Sequence, residues 1–158
     1  MKVKGIVQED FINYKKPAMF ISTATCSFKC DRESGTQCCQ NGPLASQPDI
    51  EIGTGRLVAM YAGNQITRAV VFGGLEPMDQ FEDLAKFISR LRATGCMDDV
   101  VIYTGYNKDE IPYKIWTLSA FPNVIVKYGR FVPNSEPRHD EVLGVTLASK
   151  NQYAERIS

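Results

Sequence analysis

Four of the five cysteines lie in one short stretch, and their thiols are the side chains best suited to chemistry. Cys26 and Cys30 form a C-x3-C pair, and Cys38 and Cys39 stand side by side a few residues later. The apolar run at residues 19–21 precedes them, so a strand is expected to deliver these thiols into a loop. This arrangement is typical of a metal site.

Three kinds of chemistry are open to such a stretch: a disulfide framework, a structural zinc site and an iron–sulfur cluster. Disulfide frameworks belong mainly to short secreted chains, and residues 1–5 lack the apolar region of a signal peptide. A zinc site would most simply have two separated C-x2-C pairs or added histidines, whereas the single His139 is distant. An iron–sulfur cluster is the main candidate, and three ligands from one loop would leave one iron open to a ligand other than protein.

The composition is that of an ordinary soluble globular protein. A chain of 158 residues is expected to form one domain, and 44% apolar residues suffice for a full core. No stretch is long enough to span a bilayer, so no membrane contact is expected. Eighteen basic residues balance eighteen acidic ones, so nucleic acid is not an expected partner either. Five cysteines without a secretory signal predict a reducing, cytoplasmic location.

Apolar runs alternate with helical patterns along the chain. Strands are predicted at residues 18–21, 68–72, 100–103 and 123–127, with a weaker edge strand at 3–7. Helices are predicted at 54–63, from a start near Pro77 through residue 91, and at 109–119 with Pro112 in the first turn. Residues 41–48 are predicted to be a loop. The alternation predicts an α/β fold with a mostly parallel sheet and right-handed crossovers.

Ligands of such sheets gather at the carboxyl ends of the strands. The cysteine loop, the turn at residues 73–77 and the segment at 104–106 are all predicted to leave this edge. The glycines of the turn, Gly73 and Gly74, let backbone groups approach a bound small molecule, and Glu76 offers a carboxylate to an ammonium group. We therefore expect three loops to form one site.

With these residues the chain resembles the radical S-adenosylmethionine (SAM) enzymes, and more narrowly the activating proteins of anaerobic ribonucleoside-triphosphate reductases. In that family a C-x3-C-x2-C loop holds three irons of a [4Fe-4S] cluster, and SAM binds the fourth iron. A G-G-E-P or G-G-D-P turn contacts the SAM amino group. The resemblance covers residues 10–152, including similar segments at 103–106 and 147–152. The matching residues are Cys26 and Cys30 in the loop, and Gly73, Gly74, Glu76 and Pro77 in the turn, where Leu75 is interposed.

The chain departs from the family pattern at the third cysteine. The spacing from Cys30 to Cys39 is C-x8-C instead of C-x2-C, which indicates an insertion at about residues 31–37. Neighbouring side chains on an extended loop point in opposite directions, so Cys38 and Cys39 are not expected to bind one cluster together. Cys39 is the predicted ligand because Cys39-Gln40-Asn41 resembles the C-x-N that follows the last ligand in the family.

The resemblance implies a partial (βα) barrel of the radical SAM type in a single domain. It also implies an oxidoreductase that passes one electron from the reduced cluster into the SAM sulfonium, giving methionine and a 5'-deoxyadenosyl radical. In an activase this radical takes a hydrogen atom from a backbone glycine of a large partner enzyme. The implied metal ligands are Cys26, Cys30 and Cys39. The implied SAM contacts are Gly73, Gly74, Glu76 and Pro77, with Thr104, Ser149 and Asn151 around the ribose.

The implied partners are a large glycyl-radical enzyme, here an anaerobic ribonucleotide reductase, and a one-electron donor such as flavodoxin or ferredoxin. A chain of this length leaves little sequence to close over a small substrate, whereas a protein substrate can cover the open edge itself. Two alternatives stay open. One is a radical SAM enzyme that acts on a small molecule, similar to a deazapurine synthase, and the other is a non-enzymatic zinc or iron–sulfur interaction module.

Overall fold

A seven-stranded sheet with the order β3-β1-β2-β4-β5-β6-β9 organises the computed structural model, which describes residues 1–158. A separate two-stranded sheet pairs β7 with β8. The strands are β1 (Lys2–Asp10), β2 (Ala18–Thr23), β3 (Ile50–Glu51), β4 (Ala69–Gly74), β5 (Asp99–Tyr103), β6 (Val124–Tyr128), β7 (Arg138–Asp140), β8 (Val145–Leu147) and β9 (Tyr153–Arg156). The helices are α1 (Lys29–Ser34), α2 (Gly42–Ala45), α3 (Thr54–Gly63), α4 (Phe81–Ala93) and α5 (Pro112–Leu118), with 3-10 turns at Pro77–Gln80 and Lys108–Glu110.

The four central strands, β2, β4, β5 and β6, pair in parallel and confirm the four strands predicted from apolar runs. Nearly all of their residues are buried, because helices and loops cover both faces of the sheet. Their carboxyl ends therefore meet at one edge, as the alternation of strands and helices predicts. The fold is mixed α/β, and its description as a partial barrel stays a prediction.

The flanks of the sheet are antiparallel and less predictable. The edge strand predicted at residues 3–7 is longer, and it lies second from the edge because β3 pairs with its first residues. At the other end β9 pairs antiparallel with β6, and the β7–β8 hairpin lies outside the main sheet. The strands β7, β8 and β9 were not predicted from their sequences, because they are short and carry polar residues.

The predicted helices are largely present, with two corrections. α3 has the predicted bounds. The apolar repeat that predicts α4 includes Leu84, Ile88 and Leu91, and these three residues are buried together with Phe87, which is not part of that repeat. The helix predicted at 109–119 is wrong at its start, because a 3-10 turn ends before Pro112 opens α5. The loop predicted at 41–48 contains the single-turn helix α2.

The main core lies between the sheet and the helices α3 and α4. Phe72 of β4 and Phe87 of α4 meet edge to face, with ring centroids 5.1 Å apart, a favoured aromatic geometry. Both side chains are fully buried. None of the helices combines the length and apolar character needed to cross a membrane.

Asp99, at the start of β5, connects this strand to two segments that are distant in sequence, the one after β1 and the end of β9. Its Oδ2 accepts hydrogen bonds from Tyr14 Oη at 3.0 Å and Lys16 Nζ at 2.5 Å, and its Oδ1 accepts one from Arg156 Nη2 at 2.7 Å. Burial alone would raise the pKa of Asp99, but the hydrogen bonds from Lys16, Arg156 and Tyr14 lower it below its usual value. The carboxylate therefore contributes stability to the folded chain.

We expect Asp99→Asn to lower the free energy of unfolding by roughly 2 kcal/mol at pH 7, the scale of hydrogen bonds to a charged group. The folded pKa lies below the unfolded value of about 3.9, so the contribution is lost as the pH falls through the folded pKa. The difference in the free energy of unfolding between Asp99→Asn and wild type should therefore become smaller at acidic pH. Urea unfolding at several pH values measures this, with Asp109→Asn, at an exposed carboxylate without an ion pair, as the control. An unchanged Asp99→Asn stability at pH 7 would contradict the assignment.

Candidate metal centre and ligand cavity

Four loops leave the carboxyl edge of the parallel strands and enclose a cavity of about 500 Å³. They are the cysteine loop after β2, the glycine turn after β4, residues 104–106 after β5 and residues 129–131 after β6. A cavity of this volume is in the range of small-molecule sites. It remains open to solvent, and the exposed side chain of Ile12 lies on its wall.

Glu76 joins the loop after β4 to the loop after β5. Its Oε1 accepts hydrogen bonds from Met78 N at 3.0 Å and Thr104 Oγ1 at 2.7 Å, and its Oε2 accepts one from Gly105 N at 2.8 Å. Burial raises the pKa of Glu76, although these hydrogen bonds oppose the shift. A carboxylate has about four acceptor positions, so three bonds leave one position on Oε2 for a ligand.

The 3-10 turn after Glu76 holds the base of the cysteine loop. Asp79 Oδ2 accepts a hydrogen bond from Ser27 N at 2.8 Å, and its Oδ1 accepts one from Tyr106 Oη at 2.7 Å. Gln80 Oε1 accepts bonds from the amides of Ala24 and Thr25 at 2.7 and 3.1 Å. The 3-10 turn therefore fixes the cysteine loop on both sides of Cys26, at the amides of Ala24, Thr25 and Ser27.

The insertion in the cysteine loop forms the short helix α1. Phe28, directly before it, has a positive φ of 50°, which is uncommon for a residue other than glycine, and its amide lies 3.2 Å from Cys26 Sγ. Ion pairs attach α1 to the rest of the edge: Glu33 lies 3.3 Å from Arg130 Nε, and Lys29 lies 3.2 Å from Glu110. The enlarged loop is thus held in place on the cavity.

Three of the four loop thiols line this cavity: Cys26, Cys30 and Cys39. Burial raises the pKa of Cys26 to about 11, with further contributions from the charges of Glu76 and Asp79. Burial and the nearby Cys39 thiol raise the pKa of Cys30 to about 12. A metal that binds these thiols must displace their protons, so metal binding releases protons to solvent.

The adjacent cysteines point to different places. Cys39 lies on the cavity wall with Cys26 and Cys30, whereas Cys38 is absent from it. Cys38 Sγ instead lies 3.2 Å from Ser34 Oγ and 3.5 Å from the carbonyl oxygen of Cys30. The two side chains therefore diverge, as expected for neighbours, and Cys39 as third cluster ligand stays a prediction that this placement favours.

Seven of the ten predicted site residues line the cavity, and three do not. Pro77 is buried in the 3-10 turn. Ser149 exchanges hydrogen bonds with the backbone of Val132, and Asn151 donates one to the carbonyl oxygen of Arg130 at 2.9 Å. Both residues brace the segment after β6, so their contact with a cofactor stays a prediction. The residues on the wall are Cys26, Cys30, Cys39, Gly73, Gly74, Glu76 and Thr104.

Gly74 is required by the fold itself as well as by any ligand. Its φ is +78°, and a Cβ at this position would lie 2.9 Å from the Cβ of Ser22 on the neighbouring strand. A side chain here would therefore strain the backbone and push β2 and β4 apart. The Gly74 carbonyl also accepts a hydrogen bond from Asn41 Nδ2 at 2.6 Å, which links the turn to the end of the cysteine loop.

The sequence prediction missed Lys127, the penultimate residue of β6. Its side chain is buried and lies on the cavity wall, where Nζ donates one hydrogen bond, to the Gly129 carbonyl at 2.8 Å. Burial lowers the pKa of Lys127 to about 8, and the negative charge of Glu76 partly opposes the shift. The sequence signal that could have identified it is a lysine at the carboxyl end of a strand predicted to be buried. Arg130 and Gln152 also line the cavity.

The fold and site define an α/β protein with three thiols on one ligand-sized cavity. The family model for a 4Fe-4S single cluster domain matches residues 17–153, and the chain belongs to this family. The match supports iron–sulfur binding, with the cysteine-rich loop as the metal-binding segment. No curated protein and no solved structure matches the chain.

We expect Cys39→Ala to lose most of its iron, while Cys38→Ala keeps it, because only Cys39 shares the cavity with Cys26 and Cys30. Wild-type protein reconstituted without oxygen should hold about four irons per chain. Iron and sulfide analysis with visible absorption measures this, and Cys96→Ala, which removes a thiol outside the loop, is the control. The reverse pattern would give the ligand role to Cys38.

Proposed function

We propose that the chain is a radical SAM enzyme, and that its substrate is a large glycyl-radical enzyme of the anaerobic ribonucleotide reductase type. The observation that carries this proposal is the meeting of three thiols, a glycine turn and a charged pair on one cavity wall. Cys26, Cys30 and Cys39 would hold a [4Fe-4S] cluster. When bound and reduced, that cluster supplies the single electron that cleaves SAM into methionine and a 5'-deoxyadenosyl radical.

The charges on the wall suit the methionine end of SAM. Glu76 keeps one acceptor position on Oε2, which fits an ammonium group. Lys127 donates only one of its three hydrogen bonds to the chain, which leaves donors for a carboxylate. A buried carboxylate and a buried ammonium group on one cavity complement a zwitterionic amino acid.

The open mouth of the cavity favours a macromolecular substrate. Ile12 lies on the cavity wall and is 77% exposed, and its neighbour in sequence, Phe11, is 63% exposed, although exposed apolar side chains gain nothing from water. Their turn is not loose, because Asp10 accepts hydrogen bonds from both the amide and the side chain of Asn13, and Tyr103 donates one to the Asn13 carbonyl. A rigid apolar rim suits a polypeptide that covers the opening.

The test begins with the reconstituted protein, dithionite and SAM under anaerobic conditions. We expect 5'-deoxyadenosine and methionine to form in equal amounts, and a glycyl-radical signal to appear by electron paramagnetic resonance when an anaerobic ribonucleotide reductase is added. Cluster-loaded protein that binds but never cleaves SAM would contradict enzyme activity. SAM cleavage without a radical on the reductase would instead favour a small-molecule substrate. A flavodoxin or ferredoxin that replaces dithionite would identify the electron donor.

We expect Lys127→Met to weaken SAM binding to cluster-loaded protein roughly 10- to 100-fold, the range that follows from losing a hydrogen bond between charged groups. Met keeps the apolar stem but removes the charge. Since the pKa of Lys127 is about 8, wild-type affinity should fall as the pH rises above that value, and the variant should lack this component. Calorimetric titration measures both effects.

The control for Lys127→Met is Lys150→Met, which removes an exposed lysine with no ion pair and leaves the net charge matched. Equal SAM affinity of Lys127→Met and wild type, with iron content unchanged, would remove Lys127 from the ligand site.

A further inference from the structure

The cysteine loop contains a second group of metal-binding atoms, which shares Cys30 with the three thiols on the cavity. One thiol or carboxylate atom each from Cys30, Asp31 and Cys38 lies within 4.8 Å of the other two. Cys30 Sγ is 4.0 Å from Asp31 Oδ1. All three residues are partly exposed, so an ion can reach them from solvent. This group uses Cys38, which the cluster site leaves out.

The donor atoms select a particular kind of ion. Two thiolates favour soft or borderline metals, and calcium and magnesium prefer sites made of oxygen atoms alone. Zinc accepts sulfur and carboxylate ligands together and binds them at about 2.0–2.3 Å in a tetrahedron. Three protein ligands would leave the fourth position to water. The donors need to approach each other only slightly, since tetrahedral ligands at those bond lengths lie roughly 3.5 Å apart.

The backbone already orients two of the three ligands. Asp31 Oδ1 accepts hydrogen bonds from the amides of Cys38 and Cys39, both at 2.8 Å, and these bonds close the insertion into a compact loop. They leave Oδ2 of Asp31 without a partner in the chain, so this oxygen is free to bind an ion. The carboxylate therefore holds the loop through Oδ1, which also lies 4.0 Å from Cys30 Sγ, and keeps Oδ2 as an acceptor for an ion.

We propose that Cys30, Asp31 and Cys38 form a site for a thiophilic divalent cation of the zinc type. Binding displaces one proton from each thiol, and both sulfurs keep their electron pairs, so no oxidant or reductant takes part. The site shares Cys30 with the proposed cluster ligands. Zinc and the cluster therefore exclude each other, and the cation would hold the loop in a state that cannot accept iron and sulfide.

The test uses cobalt(II) as a spectroscopic probe on the full, cluster-free chain under anaerobic conditions. We expect a titration that saturates at one equivalent, with sulfur-to-cobalt charge-transfer absorption and the visible bands of tetrahedral cobalt, and displacement by zinc. Cys38→Ala should weaken cobalt binding by at least about tenfold, since even changes outside the ligand shell cost that much. Asp31→Asn should also weaken it, although its side-chain oxygen can still accept the two amide bonds that shape the loop.

Two control variants separate this site from the cluster. Cys26→Ala and Cys39→Ala remove proposed cluster ligands and should keep wild-type cobalt affinity, while Cys38→Ala should still assemble a cluster. Zinc added before iron and sulfide should block cluster assembly in wild type and not in Cys38→Ala. Cobalt binding that is lost in Cys26→Ala and retained in Cys38→Ala would overturn the proposal, because the ion would then occupy the cavity thiols. Failure of SAM cleavage would leave these results unaffected.

Discussion

The buried carboxylate of Glu76 is the interaction on which the geometry of the carboxyl edge depends. It accepts hydrogen bonds from its own turn and from both residues that follow β5, while its amide donates to the carbonyl of Thr25 in the cysteine loop at 2.8 Å. One residue therefore holds the glycine turn, the loop after β5 and the cysteine loop in fixed positions relative to one another. Taking a carboxylate out of water is costly, and these hydrogen bonds offset part of that cost, since burial still leaves the pKa of Glu76 above its usual value.

The parallel strands supply the frame for that interaction. The register pairs Ser22 with Gly73 and Thr23 with Gly74, so the cysteine loop and the glycine turn leave the sheet side by side. Thr23 Oγ1 donates to the Gly73 carbonyl at 3.1 Å, which secures the last pair of the ladder. The pairing of β2 with β4 thus brings the start of the cysteine loop next to the glycine turn. The insertion changes only the later part of the cysteine loop.

The sequence predicted those parts of the fold whose apolar pattern is local. Residues 69–72 and 100–102 form short, uninterrupted apolar runs rich in valine, which is typical of a strand buried on both faces of a sheet. β9 could not be predicted in this way, because its residues become strand only by pairing with β6. The placement of Ser149 and Asn151 depends on their hydrogen bonds to the backbone of Val132 and Arg130, which are distant in sequence. Lys127 was missed because its burial depends on the pairing of β6 with both β5 and β9, which a short apolar run does not reveal.

One part of the cysteine loop is predictable from local sequence, and another part is set by long-range contacts. The position of Cys26 follows from the strand before it, whereas the fold of the insertion depends on contacts that only the tertiary structure supplies. Asp31 closes the loop across seven residues by binding the Cys38 amide, and Arg130 reaches Glu33 from the far side of the edge. The cysteine spacing could therefore identify the candidate metal-binding thiols, but it could not predict which of them lie together in the folded loop.

The edges of the open sheet discourage polymerisation. β1 presents nine residues, of which β3 pairs with only Lys2 and Val3, and irregular register interrupts the strand twice. Asn64 donates to the Gln8 carbonyl of β1, and the Lys4 side chain holds the carbonyls of Ala45 and Gln47 in the segment before β3. Bulges, charges and covered carbonyls are the features that keep natural sheets from adding strands of other chains. The β1 side of the sheet therefore offers few free backbone groups to a strand of another chain.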